Sequence, residues 1–230
     1  MQIIYEDNHL IVVNKTCSEL VQGDKTGDAS LIDILKNYIK EKYHKPGEVF
    51  LGLVHRLDRP TSGLVIFART SKALTRMNKQ FVDKSLKKTY WAVVDKAPPA
   101  RSGELIHYLV KNEAQNKSYA FDINKKGSKE AILSYKQLAS SDKYHLIEIE
   151  LHTGRHHQIR VQLGTIGCKI KGDLKYGFPH SNPDGGIHLH ARYLEFKHPV
   201  KDELIKLIAP VPDDKLWKFF ESMVNQQVIS

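Results

Sequence analysis

The stretch VHRLDRPTSGL at residues 54–64 leads into a short apolar run and governs how the rest of the sequence is interpreted. It places Asp58 between Arg56 and Arg59, in a loop before a buried strand. The two guanidinium groups favour the ionised carboxylate. An ionised carboxylate on such a loop is a candidate nucleophile or charge stabiliser rather than a general acid. Spacing alone favours a plainer interpretation, in which Asp58 forms an ordinary ion pair with an arginine and caps a turn.

A second polar segment, LHTGRHHQIRV at residues 151–161, begins where a strand pattern ends, turns at Gly154 and enters a helix pattern. It carries Arg155 and Arg160, and arginine is suited to bidentate contacts with phosphate or carboxylate groups. Solvent-exposed positive charge is the alternative for both side chains.

A third segment, KKTYWA at residues 87–92, places the ring of Tyr90 close to lysines. An aromatic ring can stack on a base while neighbouring cationic side chains contact its phosphate. A core tyrosine in an ordinary strand explains this segment equally well.

The composition indicates a globular protein with an anionic partner. Of the 230 residues, 41% are hydrophobic and 27% are charged, which excludes the disordered and fibrous classes. Lys and Arg number 35 against 26 Asp and Glu, so the formal net charge is +9 and nucleic acid is the favoured partner. A generically basic protein with solvated lysines is the alternative.

Targeting and redox features favour the cytoplasm. No apolar run approaches the ~18 residues that a membrane span needs, and the N-terminal residues lack the basic and apolar regions of a signal peptide. The two cysteines, Cys17 and Cys168, are too few for a disulfide framework. We therefore expect a reduced, cytoplasmic protein.

The sequence offers no strong motif for a cofactor or a metal ion. GxGxxG, GxxxxGK[ST], GxSxG and HExxH do not occur. Eight of the twelve histidines lie between residues 145 and 198, so zinc has potential ligands there. Without paired cysteines or a spaced histidine motif, we expect neither a metal ion nor a cofactor.

Apolar periodicity predicts an α+β fold with a largely antiparallel sheet, because strand patterns outnumber helix patterns and occur in adjacent runs. We expect a single domain, residues 1–230, with an insert at about residues 97–143. Helix patterns cover residues 30–43, 71–81, 159–166 and 213–225. Strand patterns cover residues 3–5, 10–13, 64–68, 88–94, 192–196 and 204–209, and most of residues 103–151.

Taken together, these segments resemble the RluA-type family of pseudouridine synthases. HRLDRPTSGL at residues 55–64 resembles the family motif HRLDxxTSGL, and KTYWA at residues 88–92 resembles K-x-Y-x-A. TGRHHQIR at residues 153–160 resembles TGRxHQIR, and it is followed by GD at residues 172–173 and YG at residues 176–177.

The resemblance continues toward the C-terminus and covers residues 3–212. LHARYLEFKHP at residues 189–199 is similar to the family ending LHAxxLxFxHP. Two positions depart from the family pattern. His156 stands where the family often has a small or hydroxyl residue, and NKTCSELV at residues 14–21 lacks the Pro and Gly of NKPxGxxV.

The resemblance implies a role for each matching side chain. Asp58 would attack the target nucleotide, and Arg160 would pair with it. Tyr90 would stack on the flipped uracil and take part in proton transfer. Leu189 would line the uracil pocket, and Arg56 would fill the gap that the flipped uridine leaves in the RNA stack. The other substrate-binding positions implied are His55, Arg59, Arg155 and His190.

The implied fold is an α+β pseudouridine synthase fold, with a mixed, mainly antiparallel sheet, flanking helices and a central basic cleft. The implied substrate is structured RNA, ribosomal or transfer. No S4-like pattern precedes Ile3, so we expect a stand-alone catalytic domain. Nothing in the sequence demands more than a monomer, so we expect a monomer without an obligatory protein partner. Two alternatives stay open: a non-catalytic RNA-binding protein with the same fold, and a metal hydrolase that uses His152, His156, His157 or His190.

Overall fold

The computed structural model describes residues 2–23 and 27–229, which form two compact units. Unit 1 spans Met1–Lys87 and Tyr193–Pro210, and unit 2 spans Lys88–Arg192 and Val211–Ser230. Each unit is therefore assembled from two separate stretches of chain.

Strands predominate over helices in the described residues. The strands are β1 (Gln2–Glu6), β2 (Leu10–Lys15), β3 (Gly52–Leu53), β4 (Ser62–Ala68), β5 (Lys87–Val94), β6 (Ser102–Asn112), β7 (Lys117–Phe121), β8 (Lys129–Ser140), β9 (His145–Leu151), β10 (Leu189–Lys197) and β11 (Leu204–Ile208). The helices are α1 (Leu31–Lys42), α2 (Ser71–Val82), α3 (Gln158–Thr165) and α4 (Lys215–Ile229), and a 3-10 turn covers Leu174–Tyr176.

Antiparallel strand pairs form the body of unit 1. β2 pairs with β1 and with β4, β3 also pairs with β4, and β11 pairs with β10. All seven residues of β4 are buried, as its uninterrupted apolar sequence predicts. Side chains of β2, β4, β10 and α2 share one apolar core, which includes Val12, Ile66, Met77 and Phe196. This core supports the loop that enters β4.

Local capping fixes where both helices of unit 1 begin. The hydroxyl of Ser30 accepts a hydrogen bond from the backbone N–H of Asp33, whose carboxylate accepts one from the backbone N–H of Ser30. This reciprocal arrangement is a capping box. Before α2, the hydroxyl of Thr70 accepts from the backbone N–H of Ala73 over 3.1 Å. Both helix starts agree with the sequence pattern.

Unit 2 is built on an antiparallel sheet in the order β5-β9-β8-β6-β7. Helix α4 covers part of it, because Trp217 and Phe220 share a buried cluster with Trp91, Val93 and Leu146. Burying a large apolar side chain contributes roughly 1.5–3 kcal/mol, so this cluster is a principal source of stability for the unit.

The structure confirms the predicted α+β class and the predominance of antiparallel pairs. The largest differences from the pattern are at two boundaries and in one element. α4 continues to Ile229 instead of stopping at residue 225, β10 begins at Leu189 instead of residue 192, and the two-residue β3 was not predicted. Two residues are too few to show the alternation that marks a strand. β6, β7 and β8 lie within the predicted insert, and the central basic cleft stays a prediction.

Candidate active site

Asp58 lies in unit 1, in the loop that joins β3 to β4. The backbone N–H of Thr61 donates a 3.0 Å hydrogen bond to the carbonyl of Asp58, which closes a turn directly before β4. Within this loop, Leu57 is buried, Asp58 is half-buried, and Arg56 and Arg59 are exposed. The buried side chain of Leu57 thus anchors the loop, while the carboxylate-bearing Asp58 remains partly accessible.

His55 supports the beginning of the same loop. The backbone N–H of Ile66 donates to Nε2 of His55 over 3.2 Å, and the imidazole ring centre lies 5.3 Å from that of Phe81. Because Nε2 accepts this hydrogen bond, its lone pair is engaged by the strand that follows the loop. His55 therefore stabilises the loop from within unit 1, and its contact with substrate stays a prediction.

Arg59 connects the loop to the segment after β2. Its Nε donates to the carbonyl of Ser18 over 3.2 Å, and its Nη2 lies 2.8 Å from the carboxylate of Asp28. The backbone N–H of Ser18 donates in return to the carbonyl of Arg59 over 3.0 Å. Since an exposed ion pair contributes little to stability, the main consequence of these contacts is to orient the loop.

Tyr90 lies in β5 of unit 2, opposite Ile149 of β9, and 7% of its surface is exposed. The strand pairing fixes its backbone, and burial restricts its side chain on one face of the sheet. A tyrosine fixed in this way has little conformational entropy left to lose when another ring stacks on it. Its position therefore suits a stacking role, which stays a prediction.

Arg160 lies in α3 of unit 2 and is 5% exposed, so the alternative of a solvent-exposed charge is wrong for this residue. Its Nε and Nη2 donate to the two carboxylate oxygens of Asp173 over 2.7 and 2.8 Å. Its Cζ lies 5.2 Å from the ring centre of Tyr176. Two parallel charge-assisted hydrogen bonds fix the plane of a guanidinium group. By contrast, Arg155 is exposed and donates from Nε to the carbonyl of Glu130 over 2.8 Å.

Asp173 is the partner that the sequence did not reveal. The residue is 1% exposed, its backbone N–H donates to the carbonyl of Ile170, and its own carbonyl accepts from the N–H groups of Tyr176 and Phe178. A buried arginine requires a nearby carboxylate, but spacing alone does not indicate which acid supplies it. The GD dipeptide at residues 172–173 was the sequence feature that could have identified this acid. It places Asp173 next to Gly172, a glycine with a backbone conformation that other residues rarely adopt.

Gly172 allows Asp173 to reach this position. Its φ of +88° is in the left-handed region, and an added Cβ would lie 2.6 Å from Nδ2 of Asn182 and 2.8 Å from the carbonyl oxygen of Gly186. Gly172→Ala therefore combines backbone strain with a collision, and we expect a loss of roughly 2–4 kcal/mol in the free energy of unfolding. Urea denaturation measures this loss.

Gly127→Ala is the matched control for this prediction. Gly127 also has a positive φ, +80°, but nothing lies within 4 Å of an added Cβ. The control isolates backbone strain, which costs about 1–2 kcal/mol. Equal losses for the two variants would contradict the collision at Gly172.

Gln158 organises the turn before α3. Its Oε1 accepts from the hydroxyl of Thr153 and from the backbone N–H of Arg155, both at 2.9 Å, and its Nε2 donates to the carbonyl of Ile132 over 3.1 Å. His157 occupies the N-cap position with a φ of 53° and makes no side-chain capping bond. The side-chain amide of Gln158, the first residue of α3, thus closes the preceding turn and fixes the start of the helix that carries Arg160.

The neighbouring histidines belong to hydrogen-bonded networks. The rings of His156 and His157 stack with centres 3.8 Å apart. Nδ1 of His156 lies 2.9 Å from the hydroxyl of Ser118, and Nδ1 of His157 lies 2.9 Å from the hydroxyl of Tyr176. These contacts connect the helix start to β7 through His156 and to the 3-10 turn through His157, so both side chains organise unit 2.

Within residues 2–23 and 27–229, no group of three or more acidic, histidine and cysteine side chains could hold a metal ion. His152, the remaining histidine of the segment, bonds through Nε2 to the hydroxyl of Ser134 over 2.7 Å. Across the same residues, no helix is long and apolar enough to cross a membrane.

Leu189 and His190 begin β10 and belong to unit 2. Leu189 is 4% exposed and His190 is fully buried, with its ring centre 5.9 Å from that of Trp217. Their roles toward substrate stay predictions. The structure thus places Asp58, His55 and the two arginines Arg56 and Arg59 in unit 1, and the other predicted site residues in unit 2.

Comparisons with known proteins identify the family. The family model described as RNA pseudouridylate synthase matches residues 9–165. The chain is 31% identical to ribosomal large subunit pseudouridine synthase D of Zymomonas mobilis, over 99% of this chain and 74% of that protein. It is 33% identical to ribosomal large subunit pseudouridine synthase C of Vibrio parahaemolyticus, over 94% of this chain and 67% of that protein.

A solved structure shows the same fold. Human RNA pseudouridylate synthase domain containing 4 superposes with a TM-score of 0.78 at 24% identity, over 97% of this chain and 93% of that one. These findings do not favour a non-catalytic RNA-binding protein or a metal hydrolase. The chain belongs to the RluA-type RNA pseudouridine synthases, isomerases that convert uridine in RNA to pseudouridine.

Proposed function

We propose that this enzyme modifies uridines of ribosomal large-subunit RNA and that Asp58 is its catalytic carboxylate. The observation that carries the assignment is the half-buried Asp58 on a turn that His55, Arg59 and Thr61 hold in place. The names of the relatives from Zymomonas mobilis and Vibrio parahaemolyticus support the choice of ribosomal over transfer RNA.

The reaction is an isomerisation and consumes no second substrate. The C1′–N1 bond breaks, the uracil rotates, and C1′ bonds to C5, while a proton leaves C5 and N1 gains one. A stacked uridine is not reachable in place, so the nucleotide must be flipped out of the RNA. We assign the chemistry on that nucleotide to Asp58, stacking on its base to Tyr90, and orientation of the reacting groups to Arg160.

Binding of the RNA around that nucleotide is assigned to side chains from both units. Arg56 is exposed and long enough to occupy the gap that a flipped base leaves. Arg59 and Arg155 are exposed cations suited to phosphate. The buried Leu189 is assigned to the uracil pocket, and His55 and His190 are assigned supporting positions around the substrate.

Phosphate contacts are expected to dominate RNA affinity. The net charge is +9, and Lys125, Lys126 and Lys129 in and before β8 are exposed in unit 2. If the interface contains four phosphate contacts, raising the salt concentration from 50 to 200 mM should lower the affinity for RNA roughly 100-fold, because binding releases counterions. Filter binding of a large-subunit RNA fragment across this range measures the slope, and a flat response would contradict a phosphate-dominated interface.

The proposal extends to the organisation of the protein. We propose that the two units work as one catalytic domain, with residues 97–143 as an insert that contains β6, β7 and β8. We further propose a cytoplasmic monomer that needs no obligatory protein partner. The basic charge supports a direct interaction with RNA, and a chain with only two cysteines agrees with a reducing compartment.

Pseudouridine mapping across total RNA tests the proposed substrate. Cells with and without the gene are compared, and the deletion is complemented with the wild-type enzyme or with Asp58→Asn. Loss of one or a few large-subunit pseudouridines, restored by the wild type alone, is the expected result. A site restored in transfer RNA instead would overturn the choice of RNA, and restoration by Asp58→Asn would overturn the catalytic assignment.

A further inference from the structure

Lys15, at the end of β2, is an unusual lysine because its side chain is almost completely buried. Only 1% of the residue is exposed. Lysine is among the residues least often buried. Its ammonium donates to the backbone carbonyls of Thr16, Arg59 and Thr61 over 2.9, 2.9 and 2.6 Å. An ammonium group has three donors, so the three carbonyls match its full hydrogen-bonding capacity.

Two of these carbonyls belong to the turn that carries Asp58. The carbonyl of Arg59 follows Asp58 by one residue, and Thr61 closes the turn through its N–H bond to the carbonyl of Asp58. The backbone N–H of Ser18 also donates to the carbonyl of Arg59 over 3.0 Å. The ammonium therefore connects the backbone on the C-terminal side of Asp58 to the end of β2.

The energetics indicate that Lys15 contributes more to position than to stability. Burial lowers the pKa of Lys15 to about 8. The nearby groups of Glu19, Cys17 and Asp58 raise this pKa through their charges, but their influence is smaller. A charged group that is desolvated in this way gains little net stability from its hydrogen bonds. What the ammonium specifically provides is a fixed distance between two backbone segments, the end of β2 and the turn after Asp58.

We propose that Lys15 is a positioning residue for Asp58, because its ammonium holds the two carbonyls that fix the turn after the catalytic carboxylate. The inference rests on the proposed catalytic function of Asp58. A displacement of about 1 Å in a reacting group can slow a reaction on the order of 100-fold, so loss of this anchor reduces the rate of isomerisation without removing the carboxylate.

The test is the variant Lys15→Met, which keeps the length and apolar body of the side chain but removes its donors. Its single-turnover rate on a large-subunit RNA fragment should fall about 10- to 100-fold. Its dissociation constant for the RNA should stay within about twofold of wild type, because a side chain that is 1% exposed does not reach the ligand. Hydrogen exchange at the amide of Thr61 should become faster.

Two variants control this experiment. Lys40→Met removes an exposed lysine from α1 of the same unit and should leave the rate and the Thr61 exchange unchanged. Lys15→Arg keeps a charged donor and should recover part of the rate that Lys15→Met loses. Should Lys15→Met fail to fold, Lys15→Gln takes its place, because a neutral amide has two donors for the three carbonyls. A slower rate with faster Thr61 exchange in that variant would support the proposal, and wild-type values for both would overturn it.

The outcomes separate this inference from the proposed function. A folded Lys15→Met enzyme with the wild-type rate would overturn the positioning role, and so would equal losses of rate and RNA affinity. Asp58→Asn is measured in parallel. A wild-type rate in that variant would overturn the proposed catalytic function itself, whatever Lys15→Met shows.

Discussion

Asp58→Asn is expected to abolish pseudouridine formation while RNA binding largely survives. Asparagine has nearly the same shape, but it carries no negative charge and is a far weaker nucleophile than a carboxylate. Removing the central reacting group of an active site typically lowers the rate by a factor on the order of 10³ or more. Binding is spread over many cationic side chains, so its dependence on one carboxylate is small.

The experiment combines single-turnover kinetics with filter binding on the same large-subunit RNA fragment. Asp202→Asn is the matched control, because Asp202 is also an acid of unit 1 and pairs with Lys197 at the surface, away from the loop of Asp58 in sequence. That control should keep close to the wild-type rate, since an exposed ion pair contributes little. Turnover near wild type in Asp58→Asn would remove the assignment of Asp58, and a matching loss of binding would make it an RNA-contacting residue instead.

Local sequence was sufficient to predict most of the elements of this fold. The start of α1 could be predicted because Ser30 and Asp33 form a capping box, and both are close in sequence. The buried β4 could be predicted because its apolar run is continuous. The loop of Asp58 could be predicted because it lies directly before that run.

The partners of the buried charges could not be predicted in the same way. Lys15 donates hydrogen bonds to the carbonyls of Arg59 and Thr61, more than forty residues along the chain. Because every residue has a backbone carbonyl, the residue types do not indicate which carbonyls accept these bonds. Arg160 binds Asp173 across the end of α3 and the loop that follows. Contacts of this kind depend on tertiary structure, and apolar periodicity carries information only about the local element.

Asp173→Ala is expected to destabilise the protein strongly and to slow isomerisation. The variant leaves the guanidinium of Arg160 in a site where that residue is 5% exposed, without the carboxylate that binds its Nε and Nη2. Breaking a buried ion pair by removing one partner costs about 3–5 kcal/mol. Urea denaturation measures the free energy of unfolding, and single-turnover kinetics measures the rate.

The exposed acid Glu113, which pairs with Lys111 in the same unit, supplies the control. Glu113→Ala should leave the urea midpoint unchanged within error, because solvent already screens that pair. A loss in Asp173→Ala no larger than the loss in Glu113→Ala would contradict the buried ion pair.

The double variant Arg160→Met/Asp173→Leu separates stability from catalysis. Replacing both members of a buried ion pair by apolar residues of similar volume is often neutral or stabilising, so the free energy of unfolding should recover most of what Asp173→Ala loses. The isomerisation rate should not recover, because the double variant lacks the guanidinium that we assign to the reaction. If stability and rate recovered together, Arg160 would serve only the folding of unit 2, and the catalytic assignment would rest on Asp58 and Tyr90 alone. If stability recovered and the rate stayed low, the ion pair would hold Arg160 for the reaction, at a cost in stability that an apolar pair avoids.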